Sequence, residues 1–146
     1  MRHLFLLLAV LFVIPLFGSD SPKEYDDRVE MVDSVEGSWL LVSEQYKGRV
    51  VIAEETRKGG KQGVTFQGGE FTRIDPKEDL KGTYTTNTAR KPAQLDMAIE
   101  GGLKVTYIYR RDGDKLLLGV IWEGGRRPKS FDDKGIYIET YKRVKK

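Results

Sequence analysis

The 146-residue chain contains no cysteine and a single histidine, His3. Without thiols no disulfide can brace the fold, so packing and hydrogen bonds alone must hold it. The same absence removes the nitrogen and sulfur ligands of a zinc-type centre from everything beyond position 3, and the side chains that most often carry acid–base or nucleophilic catalysis. No serine sits in a nucleophile elbow, and no phosphate loop or dinucleotide fingerprint occurs. A dominant charge is missing too: 25 Lys and Arg stand against 22 Asp and Glu, for a formal net charge of +3. Such a balance implies a well-solvated surface and gives no basis for a nucleic-acid partner. Apolar runs are short everywhere except at the N-terminus.

That exception has the grammar of a secretory signal. Arg2 and His3 precede an apolar run over 4–17, broken only by Pro15, and Gly18-Ser19 supplies small residues at a cleavage point. Residues 1–18 are therefore expected to be a signal peptide, with an uncleaved N-terminal anchor as the alternative. The compartment expected is exported: periplasm, cell envelope or secreted. No cysteine follows the run to accept a lipid. Ser21, Pro22 and Glu24 then read as a capped helix start, and Tyr25, Val29, Val32 and Val35 form an apolar stripe ended by Gly37. Residues 19–36 are thus expected to be a linker with a short helix.

From Ser38 the apolar period changes from 3.6 to 2. The alternation predicts strands over 38–44, 63–67, 70–74, 82–86, 94–100, 104–110, 115–123 and 135–143. Gly68-Gly69, Gly101-Gly102 and Asp112-Gly113 separate neighbouring runs and suit two-residue hairpin turns. Consecutive hairpins make an antiparallel meander, and about eight strands close most readily into an up-and-down barrel. The fold class expected for 37–146 is all-β: a barrel of about eight antiparallel strands with a short N-terminal helix. The stretches 50–58, read as a helical turn or lid, and 123–134, read as an exposed loop, interrupt the meander.

Gly37-Ser38-Trp39 at the head of the first strand resembles the Gly-x-Trp signature of lipocalins. Further blocks are 64–66 with 70–72, 81–84, 91–96, 112–116 and 127–131. In this order they are similar to a family of small exported lipocalin-like domains, of planctomycete type and without assigned function. The resemblance implies a barrel whose base is closed by Trp39 beneath an arginine of the last strand, for which Arg143 is the match, with Gly37 beside them. It implies no activity.

Strand phase makes Trp39, Leu41, Met97, Tyr107, Tyr109, Leu118 and Trp122 inward-facing and hence candidate ligand contacts. A barrel of this size either fills with side chains or holds one small ligand. The functional expectation is an exported, non-enzymatic barrel binding a small apolar or amphipathic molecule inside the barrel, with no cofactor, metal or nucleic acid. The alternative is an envelope or extracellular interaction scaffold, its interior filled and its contacts made by 50–58 and 123–134. Basic doublets at Arg110-Arg111, Arg126-Arg127 and Lys142-Arg143 read as solvated loop ends, and Asp112-Gly113-Asp114 as a turn. Asp96 and Glu100, four apart on one strand, are the carboxylates weighed for hydrolysis; nothing near them signals a cleft.

Overall fold

The alternation of apolar and polar residues resolves into nine antiparallel strands in the computed structural model, which describes residues 34–53, 61–75 and 77–145. They are β1 Gly37–Tyr46, β2 Arg49–Ala53, β3 Gly63–Gln67, β4 Glu70–Ile74, β5 Leu80–Asn87, β6 Ala93–Ile99, β7 Lys104–Asp112, β8 Lys115–Val120 and β9 Tyr137–Arg143. From β3 to β9 each strand pairs with the next, and β9 returns to pair with β1, which closes the sheet. Both β2 and β3 lie against the edge of β1 that faces away from β9. β3 takes Gly37–Leu40 and β2 takes Ser43–Tyr46, so the two fill one wall position of an eight-stranded barrel. The expected signal peptide and most of the expected helix lie outside the described residues. Of the helix stripe only Val35 is described; it belongs to no helix and is buried against the barrel floor.

Two expectations are corrected. The stretch 50–58 is not a helical turn at its start: residues 50–53 belong to strand β2, because β1 is long enough to offer a free edge there. The strand expected over 115–123 stops at Val120. At Trp122 the backbone is already helical (φ −72°, ψ −38°), and Gly124 (φ 77°) completes the turn away from the wall.

Inward side chains form one core from floor to mouth, with Trp39, Phe66, Leu95, Tyr109, Leu116 and Tyr141 among its members. Residues 121–136 cross the outside of the barrel and bury a second, smaller cluster of Ile108, Ile121 and Ile136, with Phe131 against it. This accounts for Ile108, an apolar residue on the polar phase of β7: its outer face is covered. Arg127 pins the crossing segment, pairing with Asp96 and donating to the Tyr107 carbonyl at 2.8 Å.

β1 carries a bulge. Opposite β9, Leu41 pairs with Tyr141 and Ser43 with Thr140, leaving Val42 as an extra residue. An extra residue reverses strand phase. Trp39 and Leu41 point inward before it, and Glu44 is the buried residue after it.

Candidate functional site at the barrel mouth

The floor is built from both ends of the domain. Trp39 and Arg143 are directly opposed across β1 and β9, and the Arg143 guanidinium lies 5.3 Å from the indole centroid. Arg111 lies 5.8 Å from the same ring and donates to the Ser34 carbonyl. Burial first, and Arg143 second, lower its pKa. The Trp39 Nε1–H donates to Val35 O at 2.7 Å, which draws the N-terminal segment across the base. Glu36 fixes that segment on the other side by accepting from the Gly68 amide and the Tyr84 hydroxyl. Gly37 is required on two counts: its φ is +119°, and a Cβ there would stand 3.0 Å from the Arg143 guanidinium.

Of the seven residues expected to line a ligand chamber, Trp39, Leu41, Tyr109 and Leu118 are packed into the filled lower barrel. Met97 and Tyr107 are buried residues that also reach the mouth, where they line a cavity of about 230 Å³. Trp122 joins them there from beyond the end of β8. It is 54% exposed, not inward in a strand, because β8 ends two residues before it. Leu103, 60% exposed, stands on the same rim. A wider depression of about 650 Å³ lies outside the floor, edged by Glu36, Asp114 and Lys145, and is a solvated groove rather than a chamber.

Sequence reasoning missed the polar group inside the upper barrel. Arg73 of β4 also lines the mouth cavity and crosses the interior to Glu139 of β9. It donates from one nitrogen at 2.7 Å and from the other at 3.3 Å. Glu139 is 1% exposed and also accepts from the Tyr141 hydroxyl at 2.9 Å. Burial is the largest influence on Arg73 and by itself would lower its pKa. The charge of Glu139, with smaller contributions from Tyr141, Tyr107 and the Glu139 hydrogen bond, more than reverses this and keeps the guanidinium protonated. Burial pushes the phenols of Tyr107 and Tyr141 well above their ordinary range, and Glu139 adds to both.

Directly opposite Glu139 across the closing seam is Glu44, and one step nearer the mouth Tyr46 stands opposite Tyr137. Opposed residues of antiparallel strands share a face, so the four form a square, carboxylates below and phenols above. Glu44 is 6% exposed. Tyr137 hydrogen-bonds to it, and burial, then the Glu44 charge, push that phenol up to about 12. The second Glu44 oxygen, Oε2, has no hydrogen-bond partner among the described residues. The tyrosine rings are 6.4 Å apart, and Lys47 Nζ lies 5.0 Å from the Tyr46 centroid.

Other candidates separate. Asp96 faces outward on Arg127 and Glu100 sits exposed in the β6–β7 turn, so this pair forms no cleft. The basic doublets converge only in part: Arg111 and Arg143 meet over Trp39 at the floor, while Arg110 stacks on Phe131 and Arg126 pairs with Asp133. The Lys129 amide, then Arg126, hold the Asp133 carboxyl below its ordinary range. Asp112-Gly113-Asp114 is the β7–β8 turn, and no group of three or more metal-ligating side chains occurs among the described residues. No family model, curated protein or solved structure matches the chain.

Proposed function

We propose that the chain is an exported, non-enzymatic, lipocalin-like barrel that binds one small amphipathic molecule at its open mouth. The observation that carries this reading is the cavity of about 230 Å³ lined by Met97, Tyr107 and Trp122. Its walls are mainly apolar, with Arg73 and Asp75 as polar points, which is the composition of a small-molecule site. Ordinary ligand pockets begin at about 300 Å³, so the ligand is small and partly held by the exposed rim. Burial of its apolar part contributes about 25 cal/mol per Å². Native mass spectrometry of the protein purified from its own source is expected to show a retained small molecule. Val105→Trp, which fills the cavity from β7, is expected to abolish it. Retention that survives this substitution would place the ligand elsewhere.

A second reading, an envelope or extracellular scaffold, is favoured by the filled lower interior and by the exposure of Val50, Val51, Leu103 and Trp122 around one end. Under it no molecule is retained, and Trp122→Ser abolishes capture of a protein partner by cross-linking in the native envelope.

A further inference from the structure

We infer that the mouth site selects ligands carrying a protonated amine, and that Glu44 with the Tyr46–Tyr137 pair is the ammonium-recognising subsite. This rests on the mouth-binding reading above and gives it a ligand class. Charge carries the argument. The upper interior holds two buried carboxylates, Glu44 and Glu139, against one guanidinium, Arg73, among the described residues. Arg73 is committed to Glu139 through both terminal nitrogens. Among the described residues Glu44 accepts from the neutral phenol of Tyr137, and its Oε2 has no partner at 94% burial. A buried carboxylate in excess of its cations is costly until a positive group completes it.

The surroundings specify which positive group fits. The two tyrosines above Glu44 are half-buried at the lip, their rings tilted 41° to one another. An ammonium gains from aromatic faces as well as from a carboxylate, and Lys47 already stands over Tyr46 in such a contact. Arg73 connects subsite and cavity, since it lines the cavity and holds Glu139, the cross-strand neighbour of Glu44. The inferred ligand places its ammonium at Glu44 and its hydrocarbon part in the cavity, against Met97 and Val105. A carboxylate ligand would have to approach two carboxylates, with Arg73 already bonded.

The test uses three probes of equal length, n-octylammonium, 1-octanol and octanoate, titrated into the full-length protein at neutral pH by calorimetry. The ammonium is expected to bind about tenfold or more tighter than the alcohol, and octanoate weaker than either. Glu44→Gln is expected to bring the ammonium down to the alcohol while moving the alcohol by no more than about twofold. Headgroup selectivity in the unmodified protein stands as a measurement of its own should this variant fold poorly. Octanoate binding tightest would assign the headgroup to Arg73 and overturn the proposal. Equal binding of alcohol and ammonium would overturn it while leaving the mouth site intact. Binding of none of the three would end both readings.

Discussion

Arg73 and Arg143 are both arginines of the barrel interior, yet their energetics differ by their partners. Arg143 stacks on an indole at the floor and keeps part of its surface in water, a contact worth about 1 kcal/mol. Arg73 neutralises a carboxylate that is 1% exposed, and removing it would leave two buried acids unopposed. Arg143→Ala is accordingly expected to lower the melting temperature by about 3–5 °C. Arg73→Met should destabilise by about 3–5 kcal/mol, and adding Glu139→Leu to it should recover most of that loss. Chemical denaturation of the two single variants and the double would read this coupling. A purely additive result would mean that the pair does not act as a unit.

At the scale of the element, the barrel wall depends on how closely its strands approach. Gly82 of β5 pairs with Ile99 of β6, and an added Cβ would stand 2.0 Å from the Ala98 carbonyl oxygen and 2.8 Å from the Phe71 ring. The carbonyl belongs to the ladder and cannot move aside, so β5 itself must shift. Gly82→Ala is expected to cost at least about 1–3 kcal/mol in denaturant unfolding, although Ala is otherwise the better strand residue. The same scale explains what could be read in advance. Strands 63–67 and 70–74 are legible to the residue because Gly68-Gly69 fixes their turn and Phe66 and Phe71 mark the inner phase. β2 is not legible, because its cause is distant: the overhang of β1 supplies the pairing, while Ala53-Glu54-Glu55 read locally as helical. Trp122 misleads for the opposite reason, since the alternation of β8 runs on in sequence after the backbone has left the wall. Glu44 was hidden by one bulged residue. A strict period of two counted from Trp39 puts Ser43 and Gln45 inside and Glu44 outside; Val42 reverses that order. Glu139 was the visible clue, a carboxylate in phase with Tyr137 and Tyr141.

For the molecule as a whole, the interior sets an alkaline limit on stability. Burial, with Glu36 beside Tyr84 and Glu44 beside Tyr137, raises both phenols from about 10 to about 12. A phenol raised in the folded state favours folding while it stays neutral. Its contribution is complete below pH 10 and is lost as pH climbs through about 12, because the unfolded chain ionises first. Melting temperatures followed from neutral pH upward should stay level to about pH 10 and then fall, in step with phenolate absorbance. Tyr84→Phe and Tyr137→Phe together should make the decline shallower, leaving the part set by Tyr107 and Tyr141, at the cost of one hydrogen bond each.

The pairing of β1 with β9 carries one consequence for how the chain comes into being. A ribosome releases β1 well before β9, so until β9 appears the first strand has no neighbour on its seam side. Until Tyr137–Arg143 emerges, two strand edges lie bare and the buried carboxylate of Glu44 faces no opposite number. The residues of β9 thus decide whether the polypeptide is a sealed vessel or an open ribbon able to join its copies, and a chain cut before Tyr137 would aggregate rather than fold to a smaller barrel.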